Sequence, residues 1–169
     1  EECLASIWKF TPTSLIKIVI VDHQSSDGTA AMVQRWKSKL SIRYEFVEGN
    51  NSFSFANNWA VKEFADTEYV LLLNNDIIMI EDAISRMMHY LDDNRDVGLV
   101  GCKLLEARDR GDLTKAAVHH LGIQLELSPG ATVEPLEANR SRYIADQSAE
   151  LETYSVTGAC VLMRRTEYM

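Results

Sequence analysis

The sequence has no long apolar run and no excess of positive charge. No stretch of its 169 residues approaches the roughly 18 apolar residues that a membrane span requires, and no signal peptide is visible. The 17 lysines and arginines are outnumbered by 25 aspartates and glutamates, which gives a net charge of −8. Since nucleic-acid affinity depends on clustered basic residues, this balance argues against a nucleic-acid partner. We expect a cytoplasmic protein without a membrane span; in a longer protein, the inner face of the membrane is an alternative.

Phosphate-loop motifs and cysteine pairs are missing as well. The chain has no Gly-x-Gly-x-x-Gly segment and no Walker loop, so dinucleotide and P-loop nucleotide binding have no support. Cys3, Cys102 and Cys160 are odd in number and far apart in the sequence, without Cys-x-x-Cys spacing. This usage indicates free thiols in a reducing compartment.

Strand and helix patterns alternate through the first two thirds of the chain. Strands are predicted at residues 16–21, 42–46, 69–73 and 97–101, and helices at residues 1–10, 29–40, 53–64 and 81–93. The order predicts an α/β fold, with a mostly parallel sheet and helices on both faces. After residue 105 the pattern changes to a charged loop, a strand at 121–127, a polar stretch at 135–152 and a closing strand at 156–165. We therefore predict one domain over residues 1–169, with an α/β half (1–105) and a smaller mixed half (106–169).

Two apolar strands end in acids, at Asp22 and at Asp76, the latter after Asn74 and Asn75. Ligands of open α/β sheets bind outside the carboxyl ends of the strands, so both acids should reach one edge. A hard cation such as Mg²⁺ takes carboxylate and phosphate oxygens there. The simpler alternative is that these polar residues terminate strands and cap the following helices.

Two other pairs of polar residues are given structural roles. His119 and His120 are adjacent on a strand and point to opposite faces, so they cannot easily chelate one ion. Arg164 and Arg165 are placed at a solvated strand end, although phosphate contact is the alternative.

Four segments, in order, resemble known signatures. These segments, at residues 18–29 (IVIVDHQSSDGT), 50–58 (NNSFSFANN), 71–76 (LLLNND) and 157–165 (TGACVLMRR), are spread over nearly the whole chain. They resemble the IVD-x-x-S-x-D-x-T, N-x-G-F-S-x-A-x-N, D-x-D and TGA-C-x-L-I-R-R segments of family 2 glycosyltransferases. The N-x-D form of the third is similar to the rhamnosyltransferase-like branch.

The resemblance implies a GT-A-like (nucleotide-diphospho-sugar transferase) fold and a role for each matching residue. Asp22 would bind the donor nucleobase, Asn74 and Asn75 would contact the donor, and Asp76 would ligate Mn²⁺ or Mg²⁺. Gly158 and Ala159 would line the floor beneath the transferred sugar. The implied reaction is inverting, metal-assisted transfer of sugar from a UDP- or dTDP-sugar to a glycan or lipid-linked acceptor, in polysaccharide biosynthesis. Asp27 and Thr29 match the signature but are assigned to turn formation and helix capping.

The sequence also departs from the family pattern. The family's first strand and its downstream Glu-Asp pair, which carries the general base, are not found, so we expect truncation at both ends and name no base. Ser52 stands in place of a glycine and Asn74 in place of an aspartate. A non-catalytic nucleotide- or glycan-binding module is therefore an alternative. A nucleotidyltransferase is a weaker one, because it would carry a basic Gly-rich loop near its start.

Overall fold

The structure, a computed structural model, describes residues 1–49, 52–106, 116–125, 133–135 and 152–169. Its helices are α1 (Glu2–Phe10), α2 (Thr29–Trp36), α3 (Phe53–Phe64), α4 (Ala83–Asp93) and α5 (Arg165–Tyr168). Its strands are β1 (Ile18–Asp22), β2 (Ile42–Phe46), β3 (Tyr69–Leu73), β4 (Leu99–Gly101), β5 (Leu104–Leu105), β6 (Val118–His120), β7 (Ile123–Leu125), β8 (Val133–Pro135) and β9 (Cys160–Arg164). The predicted loop at 107–115 and most of the polar stretch at 135–152 lie outside the described residues.

The strand pairing is more mixed than the sequence pattern suggested. β1 and β2 pair in parallel, from Ile18 opposite Ile42 to Asp22 opposite Phe46. β9 lies between β3 and β4 and runs antiparallel to both, so β3 and β4 point the same way without pairing directly. The α/β class is confirmed. Fewer strands pair in parallel than expected, because β9 enters the sheet antiparallel to both of its neighbours.

Local sequence explains where the helices begin. The Ser52 hydroxyl accepts the Phe55 N–H (3.2 Å) at the start of α3, and the Asp82 carboxylate accepts the Ser85 N–H (3.2 Å) at the start of α4. Side-chain oxygens at this position satisfy amides that have no partner inside the helix.

The turn before α2 is closed by Asp27 and Thr29. Asp27 Oδ1 accepts both the N–H (2.9 Å) and the hydroxyl (2.6 Å) of Thr29, the first residue of α2. These hydrogen bonds lower the pKa of the Asp27 carboxyl. The turn role expected for this pair is thereby confirmed, whereas the capping role is not, because Gly28 is the N-cap of α2 and no side chain makes a capping hydrogen bond there.

The core joins α1, α4 and β9. Its buried members include Leu4 and Ile7 from α1, Ile84, Met87 and Leu91 from α4, and Cys160 and Leu162 from β9. Met87 is buried and Met88 is packed against the same cluster, as expected for methionines that fill a core. Strand β9, from the second predicted half, therefore shares one buried cluster with α1 and α4 of the first half.

Arg164 has a different role from the solvated or phosphate-binding one considered from the sequence. Its guanidinium donates to the carbonyls of Val97 (2.8 Å), Asn94 (3.1 Å) and Leu91. These carbonyls lie at or just beyond the end of α4, where the helix dipole favours a cation. The sequence could not show this, because α4 and β9 are about 70 residues apart. Within the parts of the chain that are described, no helix is long and apolar enough to cross a membrane.

Candidate functional site

The end of β3 meets the start of β9. Leu73 lies opposite Cys160, and the next pair is joined by a hydrogen bond from the Asn74 N–H to the Ala159 carbonyl (2.8 Å). Asn75 and Asp76, which follow Asn74, are exposed to solvent. The structure therefore brings together two segments that are more than 80 residues apart in the sequence, both of which carry candidate donor-site residues.

Helix α1 supports the loop that follows β3. The Cys3 thiol approaches the Asn74 carbonyl (3.9 Å), and the Ser6 hydroxyl accepts the Met79 N–H (2.9 Å). Burial raises the pKa of the Cys3 thiol, and the nearby Asp76 charge acts in the same direction, so this thiol remains a neutral donor. The backbone that carries Asn75 and Asp76 is thus attached at both ends to the buried face of α1.

Asp22 is 4% exposed and already has protein partners. Oδ1 accepts the Ser25 N–H (2.8 Å), and Oδ2 accepts the Tyr44 hydroxyl, which sits on the paired strand β2. Burial acts to raise the pKa of Asp22, but the hydrogen bonds from Ser25 and Tyr44 outweigh it and hold the pKa below its usual value. The same contact raises the pKa of Tyr44 to about 12. Asp22 closes the turn after β1, which is the structural alternative named above. Its contact with a nucleobase stays a prediction, since each oxygen keeps a lone pair.

Helix α3 links the two strand regions. Part of it contacts β1, and its first residue, Phe53, faces Gly158. A methyl group added at Gly158 would lie 3.6 Å from Phe53 Cε1, at ordinary van der Waals distance. Phe53 is 55% exposed, so an aromatic ring lies open beside the small residues Gly158 and Ala159. Asn50 and Asn51, which precede this helix in the matching segment, lie outside the described residues.

His120 lies next to the candidate site, and nothing in the sequence predicted that position. Its Nε2 accepts the Thr157 N–H (3.1 Å), and the Thr157 hydroxyl in turn accepts the Ala159 N–H (3.3 Å). Burial lowers the pKa of His120, and the adjacent His119 lowers it further. The side chain of His119 is 67% exposed and lies 3.8 Å from Glu106. No periodicity or motif in the sequence pairs position 120 with position 157.

The donor atoms at the end of β3 suit a hard cation. Among the residues with described positions, no group of three or more His, Cys, Asp and Glu side chains could hold a metal ion. Asp76 instead offers an exposed carboxylate beside the amide side chains of Asn74 and Asn75. Mg²⁺ is often bound by one or two carboxylates together with substrate phosphates, so these residues fit such an ion. That Asp22 reaches the same edge stays a prediction, since β1 and β3 belong to different sheets.

An acid-and-amide strand end facing a loop of small residues, on this α/β scaffold, defines a GT-A-like protein. Residues 1–168 match the family described as Glycosyl transferase family 2. The chain belongs to that family, and the expected fold is confirmed.

Two curated relatives and one solved structure are similar to the chain. The O-antigen biosynthesis protein RfbC of Myxococcus xanthus is 26% identical over 88% of this chain, and the abequosyltransferase RfbV of Salmonella typhimurium is 29% identical over 64%. The chain spans only 11% and 35% of the lengths of these relatives. The mannosyltransferase PcManGT from Pyrobaculum calidifontis, solved in complex with GDP-Man and Mn²⁺, matches 68% of this chain and 34% of its own, with 26% identity and a TM-score of 0.55.

Proposed function

We propose that this chain forms the donor-binding part of a glycosyltransferase that moves a sugar from a nucleotide-diphosphate sugar to an acceptor hydroxyl, with inversion and with the help of a divalent cation. The acceptor would be a glycan or a lipid-linked glycan in polysaccharide assembly. Family membership and the sugar-transferring relatives support the class of reaction. The donor base, the sugar and the general base are left unassigned.

The hydrogen bond between Asn74 and Ala159 carries the proposal. It joins the exposed Asp76 side of the β3 end to the Gly158–Ala159 turn. A diphosphate at Asp76 would therefore have its sugar within reach of a surface that has no bulky side chains. Phe53, facing Gly158, supplies an apolar wall against which a sugar ring can pack.

Asp76 would hold Mn²⁺ or Mg²⁺, with Asn74 and Asn75 hydrogen-bonding to the donor. The cation, when bound, would neutralise the diphosphate and make it a better leaving group. Asp22 would orient the turn at residues 23–28 and accept a hydrogen bond from the nucleobase through a remaining lone pair. Residues 1–105 would form the donor side and residues 106–169 the acceptor side of one domain. The three free cysteines favour a cytoplasmic location.

A nucleotide- or glycan-binding module without catalysis is the second candidate. The polar end of β3 offers exposed groups that can bind a ligand, and among the described residues no general base for a transfer reaction has been assigned. Both candidates require a binding site at the polar end of β3 (residues 74–76), but only the transferase releases nucleotide from a nucleotide-sugar.

Calorimetric titration tests whether the end of β3 binds a nucleotide together with a cation. The chain would be titrated with UDP, dTDP and GDP, each with and without Mn²⁺, beside Asp76→Asn and the control Asp93→Asn, which changes an exposed acid at the end of α4. We expect nucleotide binding to require Mn²⁺. Binding should weaken about tenfold or more in Asp76→Asn, which corresponds to about 1.4 kcal/mol, and should be unchanged in Asp93→Asn.

The outcome separates the candidates. Equal binding by Asp76→Asn and the unmodified chain would show that the cation is not held at the β3 end. If binding depends on Mn²⁺ and Asp76, nucleotide release from the matching nucleotide-sugar distinguishes a transferase from a binding module. The anomer of the sugar first formed, followed by NMR, then tests inversion.

A further inference from the structure

We propose that His120 is a positioning residue that holds residues 157–159 in the shape of the donor site, through a hydrogen bond that only a neutral imidazole can accept. The inference rests on the proposed function, because the segment that it holds carries Gly158 and Ala159. It assigns a role in that site to a histidine that lies outside the matching motifs.

The chain before Thr157 is already fixed by contacts that do not depend on pH. The Ile123 N–H donates to the Ser155 carbonyl (2.7 Å). Gly101 lies so close to Val156 that an added methyl group would be 2.8 Å from Val156 Cβ. Gly122 similarly leaves room for Thr153. Backbone pairing and close packing therefore carry this segment as far as residue 156.

Between residue 156 and the paired strand β9, Thr157 is attached through His120. The imidazole Nε2 accepts the Thr157 N–H, the Thr157 hydroxyl accepts the Ala159 N–H, and the Ala159 carbonyl accepts the Asn74 N–H. These three hydrogen bonds form a continuous path from β6 to the end of β3. Loss of the first would free Thr157, and with it the turn that faces Phe53.

The charge of the ring decides whether the first bond exists. Neutral imidazole with its proton on Nδ1 presents a lone pair at Nε2, whereas imidazolium has a proton there that would face the Thr157 N–H. The charged groups on the neighbouring elements are His119 on β6, Lys103 and Glu106 at the two ends of β5, and Glu152 before Thr157. Burial and His119 both favour the neutral ring. The bond is thus present at neutral pH and lost as the solution becomes acidic.

Three variants separate positioning from general stability. His120→Gln keeps an acceptor near the position of Nε2 and does not titrate, whereas His120→Leu keeps a similar bulk and removes the acceptor. His119→Gln removes the neighbouring histidine, whose ring is exposed. Affinity for UDP-glucose and GDP-mannose, with Mn²⁺, would be measured between about pH 5 and pH 8. Intact nucleotide-sugars are used because a terminal phosphate has its own pKa near 6.

We expect the affinity of the unmodified chain to fall at acidic pH, as the ring gains its proton. His120→Gln should bind as the unmodified chain does at neutral pH and should lose that acid dependence. His120→Leu should bind about tenfold more weakly than the unmodified chain at neutral pH and should lose little more at acidic pH, while His119→Gln should retain the acid loss. Thermal unfolding of each variant checks that the differences in affinity are not failures to fold.

A second readout tests the hydrogen bond without a donor. In nitrogen NMR spectra Nε2 of His120 should be unprotonated at neutral pH, and the Thr157 amide should exchange with solvent faster in His120→Leu than in His120→Gln. Nucleotide-sugar binding that is unaffected by His120→Leu, or a protonated Nε2, would overturn the positioning role. Failure of every variant and of the unmodified chain to bind any nucleotide-sugar, with the NMR signature intact, would instead refute the proposed function.

Discussion

A single added methyl group at Gly101 should destabilise the fold measurably. The Cβ of an alanine at this position would lie 2.8 Å from Val156 Cβ and 2.9 Å from each of its two methyl carbons. All three distances are shorter than side-chain contacts in folded proteins, so either Val156 or β4 must move. Val156 is a β-branched residue with few alternative rotamers, and it directly precedes Thr157. The strain would therefore pass into the segment that carries Gly158.

The magnitude follows from two opposing terms. Overpacking of a well-packed site costs about 1–3 kcal/mol. The lower entropy of an unfolded chain with alanine returns about 0.4–1 kcal/mol. We expect Gly101→Ala to lower the free energy of unfolding by about 1–2 kcal/mol. For a chain of this size that corresponds to a melting temperature about 2–8 °C lower.

Urea unfolding of a double-mutant cycle measures the contact. Gly101→Ala, Val156→Ala and the double variant would be compared, with Gly98→Ala as the control, since no atom lies within 4 Å of an added methyl group at Gly98. The double variant should be more stable than the sum of the single changes predicts, by about 0.5–3 kcal/mol. Additive effects, or equal stability of Gly101→Ala and Gly98→Ala, would refute the close approach of Val156 to β4.

Two further changes test contacts made by Asp22 and Arg164. Tyr44→Phe should lower the free energy of unfolding by about 1–2 kcal/mol at neutral pH. The pKa of Asp22 is lower in the folded than in the unfolded chain. The contribution of this hydrogen bond is therefore present above the unfolded pKa, near 4, and disappears as pH falls through the folded pKa. An equal loss of stability at about pH 7 and pH 3 in urea unfolding would contradict this role of Tyr44. Arg164→Leu should lower the free energy of unfolding, measured with urea, by about 2–4 kcal/mol, because three carbonyls near the end of α4 lose a charged donor. Arg164→Lys should restore only part of this stability. Unchanged amide exchange at the end of α4 in Arg164→Leu would contradict that role.

Local pattern was sufficient to predict the elements that lead into the site. The β-branched run of β1 and the apolar run of β3 are strands; β1 ends at Asp22, and β3 ends at Leu73, directly before Asn74. Residues 29–36 and 83–93 are helices because their apolar positions recur at helical spacing. The helix predicted at residues 29–40 was four residues too long, since α2 ends at Trp36 and residues 37–39 form a turn.

Contacts between distant segments could not be predicted in the same way. The apolar run within residues 156–165 is equally compatible with a parallel or an antiparallel strand, and nothing local places β9 between β3 and β4. The role of Arg164 depends on that placement, because its carbonyl partners lie on α4. The same limit applies to His120 and Tyr44, whose partners were identified only by pairing of strands far apart in the sequence.

Cysteine positions illustrate how strand register determines the site. Cys102 and Cys160 are far apart in the sequence, yet their sulfur atoms lie 3.5 Å apart at the β4 side of β9, and all three cysteines are free. Cys160 is fully buried and the next two residues are also buried, so both faces of β9 are covered. A shift of β9 by one residue would exchange its two faces and would turn the Arg164 guanidinium away from the carbonyls of Val97 and Asn94. Core packing together with this anchor therefore favours Cys160 opposite Leu73, and this register in turn places Ala159 against Asn74. The geometry of the candidate site thus depends on the core, and core substitutions in β9 should alter donor binding without touching a ligand.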